Sequence, residues 1–137
     1  MLGFVLISGL RAQSEDHKWK ALLSGSRLAW YDGSQLDTIT SGRFEIWVIE
    51  LHKPAIDIDG VAGKVTRTKS LYCVDREAQK YGLEKIVYYN NVNTELARYV
   101  YESDISYAEA KYSFPIMNND VFNALFQELD KKQGKVQ

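Results

Sequence analysis

Between Lys64 and Tyr101, apolar clusters such as Leu71–Val74 and Ile86–Tyr89 are separated by polar positions, and the stretch is typical of consecutive antiparallel strands. Within it, Ile86–Asn90 and Leu96–Tyr101 are predicted to pair as a hairpin, because asparagine tolerates the left-handed backbone of the connecting turn. The clearest strand by composition is Arg43–Leu51. Both of its alternating faces carry apolar residues, so we predict a central strand that is covered on both sides and ends at Pro54.

Three further segments bear on the predicted sheet. Trp19–Leu23 and Arg27–Asp32 are separated by a Ser-Gly-Ser turn, and the second has the composition of a strand. Asp75–Tyr81 has helical propensity, with Asp75 as a candidate N-cap, whereas Thr66–Val74 just before it favours a strand. Propensity alone does not decide between helix and strand here.

The C-terminal region predicts an amphipathic helix. Asn118 or Asn119 is a suitable N-cap, and Asp120 places a negative charge in the first turn, where it suits the helix dipole. One apolar stripe recurs at helical spacing, formed by Val121, Phe122, Leu125, Phe126 and Leu129. Burying each of these side chains is worth about 1.5–3 kcal/mol as an upper estimate. The predicted fold class is therefore α+β, a single antiparallel β-sheet packed against a C-terminal α-helix.

Composition supports a single folded domain and argues against some partners. The chain has 137 residues, of which 45% are hydrophobic and 26% charged, values that are ordinary for a globular protein. Its formal net charge is −1, so no overall field attracts nucleic acid or anionic lipid. We therefore predict no nucleic-acid partner.

The N-terminal residues resemble an export signal. Leu2–Leu10 is apolar but shorter than the about 20 residues that a membrane-spanning helix needs, and a polar stretch begins at Arg11. The alternative is an ordinary N-terminal strand. We predict a signal-peptide remnant over residues 1–12, a flexible N-terminus over 13–18, one domain over 19–133 and a flexible tail over 134–137.

Few residues suggest chemistry. His17 and His52 stand outside any nucleophile motif, and no phosphate-binding loop is present, so we predict no enzymatic activity and no cofactor. Cys73 is the only cysteine, either a buried small apolar residue or one that pairs between chains. Asp57 and Asp59 form either a weak calcium site or a solvated acidic loop, and we predict no metal site.

One group of residues is a candidate binding surface. It combines basic side chains with tyrosines that could contact an acidic protein partner. Its members are Lys64, Arg67, Lys69, Tyr72, Arg76, Lys80, Tyr81, Lys85 and Tyr88. The alternative is a solvated sheet face whose cations protect its edges against aggregation.

Several spaced residues occur in an order that resembles a known family. They are Trp19, Tyr31-Asp32 with Ser34, Glu45-Ile46-Trp47-Val48, Ser70 through Cys73-Val74-Asp75-Arg76 to Tyr81, Val87-Tyr88-Tyr89-Asn90, and Pro115-Ile116-Met117-Asn118-Asn119-Asp120. This arrangement is similar to the surface-adhesin protein E family of Gram-negative bacteria, over about residues 19–132.

The resemblance implies an exported domain that is periplasmic, secreted or associated with the outer membrane. It implies one antiparallel sheet backed by a C-terminal helix, with Asp75–Tyr81 in a long strand. Well-studied members are adhesins that bind host matrix and serum proteins such as vitronectin, laminin and plasminogen. We therefore expect a non-enzymatic interaction domain of this kind, or alternatively a periplasmic structural or assembly subunit that binds another envelope protein. The edges of an open sheet also favour a homodimer.

The chain departs from that family at two places. Many relatives pair a cysteine at the position of Cys73 with another near the end of the C-terminal helix, where Asp130 or a neighbour stands here. An adhesin anchored by lipid needs a cysteine directly after the signal, and none is present near Ala12, so anchoring by lipid is not expected.

Overall fold

A computed structural model describes residues 16–24, 27–101 and 111–134. In chain order the elements are β1 (Trp19–Ser24), β2 (Arg27–Asp32), α1 (Gly33–Leu36), β3 (Arg43–Ile56), β4 (Val65–Asp75), β5 (Lys80–Tyr89), β6 (Glu95–Val100), β7 (Phe114–Pro115) and α2 (Asp120–Lys132). The predicted fold class is confirmed. The predicted signal remnant lies outside the described residues, as does most of each predicted flexible terminus.

The sheet is an antiparallel meander. Its order is β1-β2-β3-β4-β5-β6, so each of these strands pairs with its neighbour in sequence, and the two-residue β7 pairs with the start of β5. The predicted hairpin is confirmed as β5–β6. In its turn, Asn90 Oδ1 accepts the backbone N–H groups of Val92 and Thr94, and Asn93 has a φ of 64°.

Helix α2 packs its apolar stripe on one face of the sheet, as predicted. Asn119 is the N-cap, because its Oδ1 accepts the backbone N–H groups of Val121 and Phe122 at 2.9 and 3.1 Å. All five stripe residues are buried. They join one core cluster with residues from the sheet and α1, among them Leu22, Ala29, Tyr31, Leu36, Phe44, Ile46, Val48 and Val74.

The ambiguous segment after β4 is neither a helix nor part of one long strand. Residues 76–79 form the turn between β4 and β5, so the long strand implied by the resemblance is wrong. Asp75 still acts as a cap, because its Oδ1 accepts the backbone N–H of Ala78 at 3.1 Å. Gln79 has a φ of 58°, a backbone conformation that helix propensity does not anticipate.

The predicted end of the central strand is also wrong, since β3 continues through Pro54 to Ile56. Between Leu51 and Ile56 the register with β4 shifts: Leu51 pairs with Arg67, whereas Ile56 pairs with Val65. Irregular pairing of this kind is where a strand tolerates proline.

The side chains on the two faces of β3 are buried to different extents. Phe44, Ile46 and Val48 point into the core and are buried, whereas Trp47 and Ile49 on the other face are only half-buried. The expectation of cover on both sides therefore holds only in part. The one-turn helix α1, which supplies Leu36 to the core, was not predicted from the sequence.

Candidate functional site

All three tryptophans of the chain lie on the sheet face opposite α2. Trp47 comes directly after the buried Ile46 on β3, so its side chain points to the opposite face. Trp30 of β2 pairs with Ile49, which lies on the same face as Trp47. Trp19 pairs with Asp32, two residues after Trp30, so it shares that face as well. Each indole is half-buried, and the core cluster under the helix contains no tryptophan.

Basic side chains from β4, β5 and β6 extend the same surface. Lys69 pairs with Ile49 and Arg67 pairs with Leu51, which places both cations beside the apolar residues of β3. We call this surface the open face and define it by Trp19, Trp30, Trp47, Ile49, Leu51, Arg67, Lys69, Lys85, Tyr89 and Arg98. Among the described residues, no helix covers it.

Contacts between cations and aromatic rings order the open face. Lys69 Nζ lies 4.9 Å from the centre of the Trp47 ring and 5.9 Å from that of Trp19. The Arg67 guanidinium carbon lies 4.1 Å from the centre of the Tyr89 ring. Each such contact is worth about 0.5–1 kcal/mol at an exposed site. These contacts favour defined positions for both cations.

The fold separates the residues of the predicted basic and tyrosine surface. Arg67, Lys69 and Lys85 lie on the open face, as the pairing of Lys85 with Leu71 shows. Tyr72 and Tyr81 lie on the helix-side face, where both rings pack against Phe122 at 5.1 and 4.8 Å.

Tyr88 also lies on the helix-side face, with its ring 6.2 Å from that of Tyr99. Arg76 makes two hydrogen bonds of 2.8 Å to the Asp130 carboxylate, and it thereby ties the β4–β5 turn to α2. Lys64 pairs with Asp57 at 2.9 Å, so one of the two candidate calcium ligands faces a cation. Lys80 is exposed at the start of β5. The nine residues therefore do not form one surface.

A buried polar cluster at the edge of the open face was not predicted. His17 Nδ1 lies 2.8 Å from Asp32 Oδ2, and the side chains are only 8% and 3% exposed. Ser34 Oγ and the backbone N–H of Lys18 donate to Asp32 Oδ1. Burial alone would raise the pKa of Asp32, but these hydrogen bonds outweigh it and lower the pKa to about 2.

This cluster does not have the geometry of a catalytic triad. The Ser34 hydroxyl donates to Asp32 and not to a histidine, so no base activates it. The His17 ring packs instead against Trp19 and Trp47, at 4.7 and 5.6 Å between centres. Its role is to hold the indoles. The prediction of a flexible segment up to residue 18 is not tested as a whole, but His17 and Lys18 are anchored to Asp32.

A second charged group lies near Cys73 at the far end of the sheet. Lys111 Nζ is 3.5 Å from Glu45 Oε2 and 3.8 Å from Glu84 Oε2. Burial, a hydrogen bond with Glu45 and the Glu45 charge raise the pKa of Glu84 to about 7. Glu84 can therefore hold a proton near neutral pH.

Cys73 lies on the open-face side of the sheet, where its thiol approaches the Lys111 carbonyl oxygen at 3.6 Å. Burial raises the pKa of the Cys73 thiol and so favours its neutral form, which fits the prediction of a buried small apolar residue. Helix α2, which carries Asp130, packs on the opposite face of the sheet from Cys73. The Arg76–Asp130 pair joins the sheet to the end of α2.

Comparison with known proteins gives no relative. No protein-family model, curated protein or solved structure matches the chain. The resemblance to the protein E family therefore stays a prediction. Within residues 16–24, 27–101 and 111–134, no helix is long and apolar enough to cross a membrane. In the same ranges, no group of three or more His, Cys, Asp or Glu residues could hold a metal ion.

Proposed function

We propose that this chain is a non-enzymatic interaction domain, exported to the bacterial envelope or secreted, and that its open face contacts a protein partner. The observation that carries the proposal is the placement of Trp19, Trp30 and Trp47 outside the core under α2. Tryptophan, together with arginine and tyrosine, is enriched at protein–protein hot spots.

The rigidity of the open face supports the same proposal. His17 packs between Trp19 and Trp47, and Lys69 lies against the same two rings. A surface whose large side chains are already held in place loses little conformational entropy when a partner binds. Such preorganisation gives affinity without a deep pocket.

The identity and location of the partner come from the resemblance. By that resemblance, the partner is a host matrix or serum protein such as vitronectin, laminin or plasminogen. The location is the periplasm, the outer membrane or the exterior of the cell. Protease treatment of intact cells, followed by detection of this chain, tests the location; a chain confined to the cytoplasm would contradict it.

Binding to immobilised candidate proteins tests the open face directly. Trp30→Ala is expected to weaken binding by about tenfold or more, as removal of a hot-spot indole does. Phe114→Ala is the matched control, because Phe114 is 52% exposed and contacts Tyr81 on the helix-side face. Equal binding by wild type and both variants, all shown to be folded, would exclude the open face.

A second candidate function is a periplasmic assembly subunit that binds another envelope protein through a sheet edge. The edge β6 favours it, because within the described part of the chain no strand pairs with the outer side of β6. Val100 and Tyr101 at its end are each 52% exposed. Exposed edges of this kind can accept a strand from a partner or from a second copy. Tyr99→Lys, on the helix-side face of β6, should abolish capture of an envelope protein in this case, and it should leave open-face binding unchanged.

A further inference from the structure

The open face is divided into an aromatic half and a cationic half. The aromatic half comprises Trp30 on β2 with Trp47, Ile49 and Leu51 on β3, and the cationic half comprises Arg67 and Lys69 on β4 with Lys85 on β5. Ile49 stands directly opposite Lys69, and Leu51 stands directly opposite Arg67. The boundary between the halves therefore runs along the strands, between β3 and β4.

The repeat along this boundary matches that of an extended polypeptide. Residues two apart on one strand face, such as Arg67 and Lys69, are separated by about 6.6 Å. An extended segment lying along the boundary projects alternate side chains to its two sides with the same repeat. One row would lie over Ile49 and Leu51, and the other over the two cations.

Resting on the proposed function, we infer that the open face binds an extended segment of the partner in which acidic and apolar residues alternate. The acidic residues face Arg67 and Lys69, and the apolar residues face Ile49, Leu51 and Trp47. Charge complementarity selects the acidic row, and the apolar surface of the indole and aliphatic side chains selects the other.

The position of Arg67 suits a carboxylate ligand. Its guanidinium lies over the Tyr89 ring, which favours a fixed orientation of the planar group. A fixed guanidinium can bind both oxygens of one carboxylate, which a lysine ammonium cannot do as specifically. Arg67 Nε is buried and has no hydrogen-bond partner, so any contact would be made by the terminal nitrogens.

The acidic groups on the same face are already close to cations. Glu95 bonds Arg98 through both oxygens, at 3.0 and 3.2 Å, and the nearby Lys69 charge also lowers its pKa. Glu45 and Glu84 lie near Lys111, beyond the boundary rows. The field over Arg67 and Lys69 therefore remains favourable for an acidic ligand.

The test uses four soluble probes and calorimetry, with tryptophan fluorescence as a second readout. The first probe is a ten-residue peptide that alternates Glu and Val, and the second is a block peptide of the same composition. The third alternates Lys and Val, and the fourth is a sulfated oligosaccharide. We expect the alternating acidic peptide to bind at least about tenfold more tightly than each of the others.

Variants of the full chain connect binding to the boundary. The double variant Arg67→Gln, Lys69→Gln should weaken binding of the alternating peptide by about tenfold or more. The matched control Lys131→Gln, Lys132→Gln removes the same charge from the last turn of α2 and should leave affinity unchanged. Thermal unfolding of each variant shows whether it is folded.

The outcomes separate the inference from the proposed function. If the block peptide or the oligosaccharide binds as tightly as the alternating peptide, the surface is an unspecific cationic patch and the inference fails. If no peptide binds but Trp30→Ala still weakens capture of a protein partner, the inference fails and the proposed function stands. If Trp30→Ala also leaves partner capture unchanged, both fail.

Discussion

Replacing Glu84 with glutamine should change how the stability of the fold depends on pH. The pKa of Glu84 is about 7 in the folded chain, because burial and the neighbouring Glu45 disfavour its charged form, against a reference value of 4.5. A raised carboxyl pKa means that the folded state binds this proton more tightly than the unfolded state. The resulting stability is fully present below pH 4.5 and is lost as the pH rises through about 7.

The size of the effect follows from the shift. The difference between about 7 and 4.5 is about 2.5 pKa units, and at 1.36 kcal/mol per unit its upper limit is about 3 kcal/mol. Solvent screening reduces this figure, since the Glu84 side chain is 24% exposed and Lys111 lies nearby. We expect the wild-type chain to lose about 2 kcal/mol of unfolding free energy from this group between pH 4.5 and 7.5.

Urea unfolding followed by tryptophan fluorescence at pH 4.5, 6 and 7.5 measures this loss. Glu84→Gln cannot release a proton, so the difference in stability between wild type and variant should change by about 2 kcal/mol across that range. Taking the difference removes the pH dependence that both chains have in common. Glu77→Gln, at an exposed turn residue, is the control and should follow the wild-type curve. A Glu84→Gln curve parallel to wild type would refute the reasoning.

Three further substitutions test other parts of the fold by chemical unfolding at fixed temperature. Gly82→Ala adds a methyl group that overlaps the carbonyl oxygen of Lys111, so it should lower the free energy of unfolding by about 2 kcal/mol. In the control Gly42→Ala the added methyl group has its nearest neighbour at 3.5 Å, and the loss should be under about 0.5 kcal/mol. Similar losses for the two variants would contradict the packing around Gly82. Asn119→Ala removes the α2 cap and should cost about 1 kcal/mol, and an effect no larger than that of Asn118→Ala would argue against capping. The lowered pKa of Asp32 in the folded chain contributes up to about 2 kcal/mol of stability, which is present above pH 3.8 and lost as the pH falls towards 2. Asp32→Asn should remove this contribution. A variant whose stability depends on acid pH in the same way as wild type would disprove the interactions of Asp32.

Local patterns predicted the parts of the fold that local interactions determine. The stripe from Val121 to Leu129 and the cap at Asn119 depend only on neighbours within one or two turns, and both are confirmed. The asparagine turn before β6 is of the same kind. Pro54 shows the limit, because strand continuation there depends on how β3 pairs with β4, which the local sequence does not encode.

The fold divides the predicted basic and tyrosine surface between two faces, for a reason that was partly visible in the sequence. On one regular strand, odd and even positions point to opposite faces, so Lys69 and Tyr72 could not share a face without an irregularity between them. Tyr81 and Lys85 are both at odd positions, yet they lie on opposite faces because the β4–β5 register shifts between Leu71 and Tyr72. That shift is a property of strand pairing. The contact between His17 and Asp32 likewise requires the β1–β2 register.

The meander has a consequence for how the chain is completed during synthesis or export. Each hairpin can form as soon as its second strand emerges, because β1 to β6 pair in sequence order. The apolar face of the sheet stays exposed until α2 has been synthesised and can pack on it. Helix α2 contacts β1 and β2, the first two described strands. The last of the described elements therefore packs against the first two of them. A nascent chain that stalls before Asp120 leaves this apolar surface exposed to chaperones or to aggregation.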